Sequence, residues 1–383
     1  MAVSTDHVPH FTPSTQLEDL GRRIKVCHLT RTLGHSRLEE FLLDCTRLIN
    51  RDRFDVTFVS LGKLGVVAAD LVKAGFEVRE IGLSVLGQVK ALRKLSRYLK
   101  SRQIDVLHTH NTTAQFHGAI AAKWAGTPIV LSTQHGHGCG TNRRSLWQFR
   151  IANEMTSCVF ATSTTSTELC KQQNRTNAGK MAYIPIGVNP DEFFNYGPSD
   201  DLRAITVGKA ADDESIATLI RATRRVVDSY PHFRLKVVGT GLDEEKLAGL
   251  ARDLHLAHHV EFLREVKGNA KLFGTVGFYV TSNESDDANL NILEAMAAGL
   301  PILALDAPSR DEIVTSGANG RLVSGNNPEQ IARGMLSLIS ERALWAGYGE
   351  ESRKRILETF NLKRMVATYE SVYAELAADL VHF

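Results

Sequence analysis

Long apolar runs are missing from this 383-residue chain. No stretch reaches the roughly 18 consecutive apolar residues of a membrane-spanning helix, so an integral membrane protein is not expected. A signal-like start is missing too. Residues 1–22, MAVSTDHVPHFTPSTQLEDLGR, have neither a basic n-region nor an apolar h-region, and read as a disordered tail. Cysteine is scarce: Cys27, Cys45, Cys139, Cys158 and Cys170 are odd in number, form no C-x-x-C pair and stop at residue 170. This argues against a disulfide framework and for reduced thiols in a cytoplasmic protein. An excess of one charge is also lacking. With 45 basic and 43 acidic residues the formal net charge is +2, too even for a dedicated nucleic-acid binder, and no nucleic-acid partner is expected.

What is present is a rhythm. Apolar runs at 24–29, 55–61, 76–81, 104–108, 129–133 and 159–162 read as strands. Between them lie helical stretches at 38–49, 66–74, 89–99, 114–124 and 146–155. Residues 171–200 are polar and rich in Pro, Gly and Asn, with one short strand around Tyr183, and place a domain boundary near 190–200. The rhythm then restarts, with strands at 204–207, 235–238, 260–263, 278–281 and 302–305. Helices here carry Ile216 to Val227, begin at Glu244, span 290–298, and run from Pro328 to the C-terminus. Alternation of this kind forces parallel sheets covered by helices on both faces. The fold class expected is α/β, with two doubly wound Rossmann-like domains facing each other across a cleft at their strand C-terminal ends.

An internal echo supports two similar halves. Ala125-Gly126-Thr127-Pro128-Ile129 and Ala298-Gly299-Leu300-Pro301-Ile302 each read as a left-handed Gly closing a helix, then a Pro admitting a strand.

The loops hold the chemistry. Asn289 suits the N-cap of helix 290–298, whose first N–H groups, beginning with Leu290, would seat a phosphate. Glu294 in that helix can accept hydrogen bonds from sugar hydroxyls, the plain alternative being a carboxylate that only stabilises the helix dipole. Gly239-Thr240-Gly241 follows a strand and opens a helix as a phosphate-approaching turn does. Glu244 occupies the third Gly position of the dinucleotide fingerprint, so a simple tight turn is the competing reading. His108-x-His110 and His135-x-His137, with Cys139 behind, could in principle converge on a metal. No carboxylate or Cys pair sits at ligand spacing, so no metal site is expected; His135 alone lines the cleft and the other histidines are satisfied locally. Arg143, Arg144 and Arg150 form either an acceptor or phosphate patch or a solvated helix face. Lys90, Arg93, Lys94, Arg97 and Lys100 make a basic helix face, with Val89, Leu92, Leu95 and Leu99 expected inward. That face is either solvated or suited to peripheral contact with the inner surface of a membrane.

Several of these segments are co-linear with one family. Leu293-Glu294-Ala295-Met296-Ala297-Ala298-Gly299-Leu300-Pro301-Ile302 carries the most specific match. Asp105 to His110, Thr133-Gln134-His135-Gly136, Ile184 to Asn189, Glu312-Ile313-Val314 and Gly320 to Val323 support it. The chain resembles the GT-B-fold retaining glycosyltransferases of family 4, or group 1, over about residues 24–375. The resemblance implies an N-terminal acceptor domain at 23–192, a nucleotide-sugar donor domain at 193–361, and a C-terminal helix at 362–383 packing back toward the first domain. It implies transfer of a sugar, of hexosyl type, from a nucleotide-diphosphate-sugar donor to a hydroxyl acceptor, on a glycan, a lipid-linked glycan or a small molecule. No cofactor or metal is implied. His135 matches the cleft histidine, Glu294 the second Glu of the E-x7-E motif that holds the donor ribose, and Asp286 that motif's first position. Lys209 stands where the family has its diphosphate-binding Arg.

Glu214 occupies the place of the family's Lys. Beside two phosphates, such a charge would oppose donor binding by about 4 kcal/mol at roughly 4 Å and effective dielectric 20. Ser36-Arg37 after Gly34 and Pro308-Ser309 before Glu312 replace Gly-Gly pairs, and Ile186 replaces an Asn. Gly34, Arg37, Arg143 and Glu312 complete the candidate phosphate or acceptor contacts. Two other functions share this scaffold: a weak or inactive binding or assembly protein, and a sugar-nucleotide epimerase.

Overall fold

The structure, a computed structural model, describes residues 21–379 except 35–36, 85–86, 137–141, 210–211, 265–269 and 286. The chain divides into two compact units, Met1–Ile186 with Lys363–Phe383, and Gly187–Leu362.

In the first unit seven strands form one parallel sheet. They are β1 (Ile24–Thr30), β2 (Phe54–Ser60), β3 (Glu77–Glu80), β4 (Val106–His110), β5 (Ile129–Gln134), β6 (Cys158–Ala161) and β7 (Met181–Tyr183). Helices α1 (Arg37–Leu48), α2 (Val66–Lys73), α3 (Gln88–Arg102), α4 (Asn111–Ala125), α5 (Arg143–Glu154) and α6 (Thr164–Gln173) connect them. The strand order is β3-β2-β1-β4-β5-β6-β7. The chain therefore winds one way from β1 and the other way from β4, leaving a crevice between these two strands at their C-terminal ends. Leu29, Val59, Leu95, Leu99 and Leu107 form part of its core.

The second unit repeats the plan with β8 (Arg203–Lys209), β9 (Arg234–Thr240), β10 (Val260–Leu263), β11 (Phe278–Thr281), β12 (Ile302–Leu305) and β13 (Gly320–Val323). Its helices are α7 (Asp213–Ser229), α8 (Glu244–Asp253), α9 (Ala270–Phe273), α10 (Asp287–Ala297), α11 (Pro328–Ser340) and α12 (Trp345–Glu358). The order β10-β9-β8-β11-β12-β13 puts the switch point between β8 and β11. Leu219, Ile220, Leu235, Val237 and Phe278 are fully buried there. The final helix, α13 (Leu362–Ala378), packs in the first unit, where Tyr369 and Tyr373 reach β5 and β4.

The two echoed segments close alike. Gly126 has φ +76° and Gly299 φ +79°, and the next residue donates back to the residue five before it, Thr127 to Ala122 and Leu300 to Ala295. A Cβ on Gly299 would also stand 2.2 Å from the Asn195 side chain.

Some readings change. Arg22, assigned to the tail, holds Asp105 through two hydrogen bonds of 2.7 and 2.8 Å. The helical tract after Pro328 divides into α11, α12 and α13, and Gly320–Val323 is an edge strand. On α3, Leu95 and Leu99 are buried as expected, but Val89 is 54% exposed. Lys94, still exposed, donates to the carbonyls of Glu80 and Ile81. No helix among the described residues is long and apolar enough to cross a membrane.

Candidate functional site

In the second unit the loops after β8 and β11 flank the switch point and are tied together. The Asp212 carboxylate accepts from the backbone N–H of Lys209 (2.9 Å) and from the Asn283 amide (2.8 Å). Ser282 Oγ donates to the carbonyl of Ser215 at 2.6 Å. Lys209 is exposed at the end of β8. Behind these loops lies a residue that sequence reasoning missed. Arg310 is 1% exposed, and its guanidinium donates to the carbonyls of Asn283 (2.8 Å), Leu305 (3.2 Å) and Ser285 (3.3 Å) and to Asn289 Oδ1 (3.2 Å). Its planar fork gathers carbonyl oxygens of the loop that leads into α10. An Arg next to a Pro-Ser turn carries no periodicity signal, which is why it escaped notice.

That network corrects the cap assignment. Helix α10 begins at Asp287, so Asn289 lies within its first turn and its side chain accepts from Arg310 instead of capping the helix. Leu290 is buried, which leaves only its backbone to face a ligand. Asp286 lies outside the described residues. Glu294 is half-buried on α10; burial first, and then the Glu294 carboxylate, raises the Tyr279 hydroxyl on neighbouring β11, while Arg310 opposes. Gly239 has a packing reason, since a Cβ there would stand 2.2 Å from the carbonyl oxygen of Gly208. Gly241 has φ +73° in the turn that follows. Ser309 takes φ +63°, the left-handed conformation that glycine adopts at no cost. Glu312 lies in a turn and is half-buried, its carbonyl accepting from Arg355. Glu214 is 80% exposed and pairs with Arg221 at 3.2 Å. A charge so exposed and so paired is screened, and the 4 kcal/mol opposition expected for it does not apply.

In the first unit a pocket of about 920 Å³ opens at the β1/β4 switch point, with Arg31, Glu39, His110, Asn111, His135 and Arg144 among its walls. Asn111 starts α4 at φ +66°, and its Oδ1 accepts from the His135 backbone N–H at 2.8 Å, fixing the turn that carries this histidine. Arg143 is exposed at the first position of α5, next to the capping Asn142. Gly34 precedes α1, and Arg37 is its first residue. His137 and Cys139 lie outside the described residues.

The histidines are not satisfied locally, contrary to the sequence expectation. Pairing of β1 with β4 sets His28 opposite His108, and long-range partners complete the group. His28 Nδ1 meets His110 Nε2 at 3.0 Å, and His110 Nδ1 meets His135 Nε2 at 3.1 Å. His108 contacts the Tyr373 hydroxyl at 2.6 Å and Thr133 Oγ1 at 2.8 Å. Nitrogens of His28, His108 and His110 lie within 4.8 Å of one another, as a metal would require. Both ring nitrogens of His108 and of His110 have hydrogen-bond partners in this group.

Burial pushes His28 down to about 4, and holds His108 and His110 well below the ordinary histidine range. The unfolded chain thus binds more protons as pH falls from 6.5 toward 4. His28 contributes its full stabilisation above the unfolded value, and loses it as pH falls through the folded one. Its share is about 3 kcal/mol. Urea denaturation is expected to give a lower unfolding free energy at pH 5 than at pH 7.5, and a smaller difference in His28→Phe. Equal pH dependence in both would contradict neutral burial of His28.

Comparison with known proteins places this architecture. Residues 189–355 match the family "Glycosyl transferases group 1", and residues 38–192 match "Glycosyltransferase Family 4". A galactosyltransferase of Escherichia coli, named for transfer from UDP-Gal to α-D-GlcNAc-diphosphoundecaprenol, is 22% identical over 93% of this chain and 98% of its own. The phosphatidyl-myo-inositol mannosyltransferase of Mycobacterium tuberculosis is 26% identical over 73% of this chain and 77% of its own. HepE of Anabaena, solved in complex with UDP, superposes with a TM-score of 0.76 at 18% identity, covering 94% of this chain and 100% of that one. The two Rossmann-like units are those of the GT-B class. The chain belongs to the group 1, family 4 glycosyltransferases, and is a transferase enzyme.

Proposed function

We propose that the protein transfers a hexose from a nucleotide-diphosphate donor to a hydroxyl acceptor with retention of anomeric configuration, the donor seated on the second unit. The observation that carries this reading is the switch-point crevice there. It is flanked by Lys209 and by the α10 N-terminus, with Glu294 on that helix and Arg310 holding the loop in place. An anion at a helix N-terminus meets unpaired N–H groups and the positive end of the dipole, and Lys209 adds a cation; both favour a departing diphosphate. Glu294 accepts from ribose hydroxyls, and Asp286 is assigned to the transferred sugar by its place in the E-x7-E motif alone. Gly239, Gly241, Asn289 and Leu290 complete the donor seat through backbone and loop shape.

In a front-face reaction the acceptor hydroxyl attacks on the side from which the diphosphate leaves, and its proton passes to the departing phosphate oxygen. No protein nucleophile or metal is required. The acceptor enters the first-unit pocket beside His135, whose walls include Thr32, Leu38, Asn142 and Arg144, the sequence neighbours of Gly34, Arg37 and Arg143. The names of the E. coli and mycobacterial relatives support hexose transfer, and HepE, also solved with UDP-glucose, supports a nucleotide-sugar donor. The same two names support a lipid-borne acceptor, and with it peripheral membrane contact at the inner face through α3.

A thermal-shift panel of UDP, GDP and ADP in chelator, followed by donor hydrolysis, tests the reading. One nucleotide is expected to raise Tm at millimolar concentration; if none does, the donor assignment fails. Glu214→Lys is expected to tighten diphosphate binding about 2- to 5-fold at low salt, because the present carboxylate is exposed and paired. Unchanged calorimetric affinity would show that position 214 does not face the phosphates.

A further inference from the structure

We propose that His28, His110 and His135 form a single tautomer-coupled wire, in which buried His28 determines which nitrogen of His135 carries its proton and so acts as a positioning residue for sugar transfer. This rests on the functional reading of His135 given above.

The wire spans three strands. His28 lies in β1, His110 ends β4, and His135 follows β5, with ring centroids 5.3 Å apart for the first pair and 5.4 Å for the second. Each contact uses one defined nitrogen of each ring: His28 Nδ1 with His110 Nε2, and His110 Nδ1 with His135 Nε2. A neutral imidazole has one donor and one acceptor nitrogen. His110, in the middle, must therefore donate at one of its two contacts and accept at the other. If it donates through Nδ1, His135 accepts at Nε2 and is Nδ1–H, while His28 donates from Nδ1. If it donates through Nε2, His28 accepts at Nδ1 and is Nε2–H, while His135 donates from Nε2. All three rings thus share one tautomer, either all Nδ1–H or all Nε2–H.

The surroundings favour neutrality and rigidity. His28 stacks on Phe58 at 5.2 Å, and His135 meets the Phe41 edge at 6.2 Å. His28, His110 and His135 adjoin a small cavity of about 40 Å³ that Cys45, His108 and Glu370 also line. His110 and His135 in addition line the open pocket at the β1/β4 crevice, as do Glu39, Arg31 and Arg144. Burial lowers the protonation of His28 and His110 and raises the Cys45 thiol, so these side chains of the cavity tend to the uncharged state, while the Glu370 carboxyl, also raised by burial, accepts from the Asn50 backbone N–H. The wire therefore joins the mainly apolar small cavity to the solvent-facing pocket. The tautomer it selects decides whether the other ring nitrogen of His135, Nδ1, which is buried beneath the pocket wall, is a donor or an acceptor to the groups around it.

Two-bond 15N–1H correlation on 15N-histidine-labelled protein at pH 7.5 tests the coupling without any turnover, each ring being assigned by loss of its signals in a single variant. The expected result is one tautomer common to all three rings. Opposite tautomers on any two of them overturn the proposal in wild-type protein alone. In His28→Phe, which keeps the stack on Phe58, the His135 tautomer is expected to change or become mixed; an unchanged His135 signal also overturns it. Where transfer is measurable, kcat of His28→Phe is expected to fall about 10-fold with donor KM within 2-fold. Unchanged kcat with a changed tautomer rejects the positioning role. Failure of wild-type transfer strikes the glycosyltransferase reading and leaves the spectroscopic result standing.

Discussion

Glu294→Ala is expected to weaken nucleotide-diphosphate binding about 100-fold while leaving the fold intact. A carboxylate that accepts two hydroxyl hydrogen bonds contributes roughly 1.5 kcal/mol or more through each, because one partner is charged, and about 2.8 kcal/mol is a factor of 100. Glu294 is the half-buried member of a run on an 11-residue helix in which Leu293, Ala295, Met296 and Ala297 are fully buried. Those four side chains keep the helix seated when the carboxylate is removed. Calorimetric titration of the nucleotide that gives the largest thermal shift measures the change. A loss under 3-fold would mean that the carboxylate serves the helix and Tyr279 rather than a ligand.

The second large effect is structural. Arg310→Met is expected to lower unfolding stability by about 3 to 5 kcal/mol, because three carbonyls and an amide oxygen lose a charged donor in a site where the side chain is 1% exposed. Donor affinity is expected to fall as well, since the loop from Asn283 to Ser285 loses its anchor. Urea midpoints measure the first effect and calorimetry at a temperature where the variant is folded measures the second. A variant as stable as wild type would show that water replaces the guanidinium, and the loop would then need another explanation. Arg310→Lys is expected to recover only part of either, as an ammonium lacks the planar fork that spans these acceptors.

The sheets were legible because parallel strands buried on both faces write themselves as apolar runs, and the helices between them as stripes. The left-handed glycines at 126 and 299 were legible for a similar reason: a Gly two residues before a Pro and a strand has few other uses. Short edge elements were not. Gly320–Val323 has an Arg at its second position and pairs on one side only, so its apolar signal is weak. The helix start at Asp287 was misplaced because Asn289 is as good a cap on paper as any residue of Ser285-Asp286-Asp287. Only Arg310, which is remote in sequence, shows where its side chain goes. The same limit hid His28. Period-two spacing put His108 and His110 on one side of their strand, but the partner that completes the wire comes from a neighbouring strand, and register between strands is a tertiary property.

Backbone hydrogen exchange with and without the bound nucleoside diphosphate tests the central claim most directly, because it reports where a donor binds whether or not an acceptor is known. Slowed exchange is expected in the loop after β8, around Lys209 and Asp212 to Glu214, and in the segment from Ser282 through the first turn of α10. Saturating nucleotide that binds yet leaves those segments unchanged, or protects only strands β1 and β4 and their loops, would contradict a donor site on the second unit.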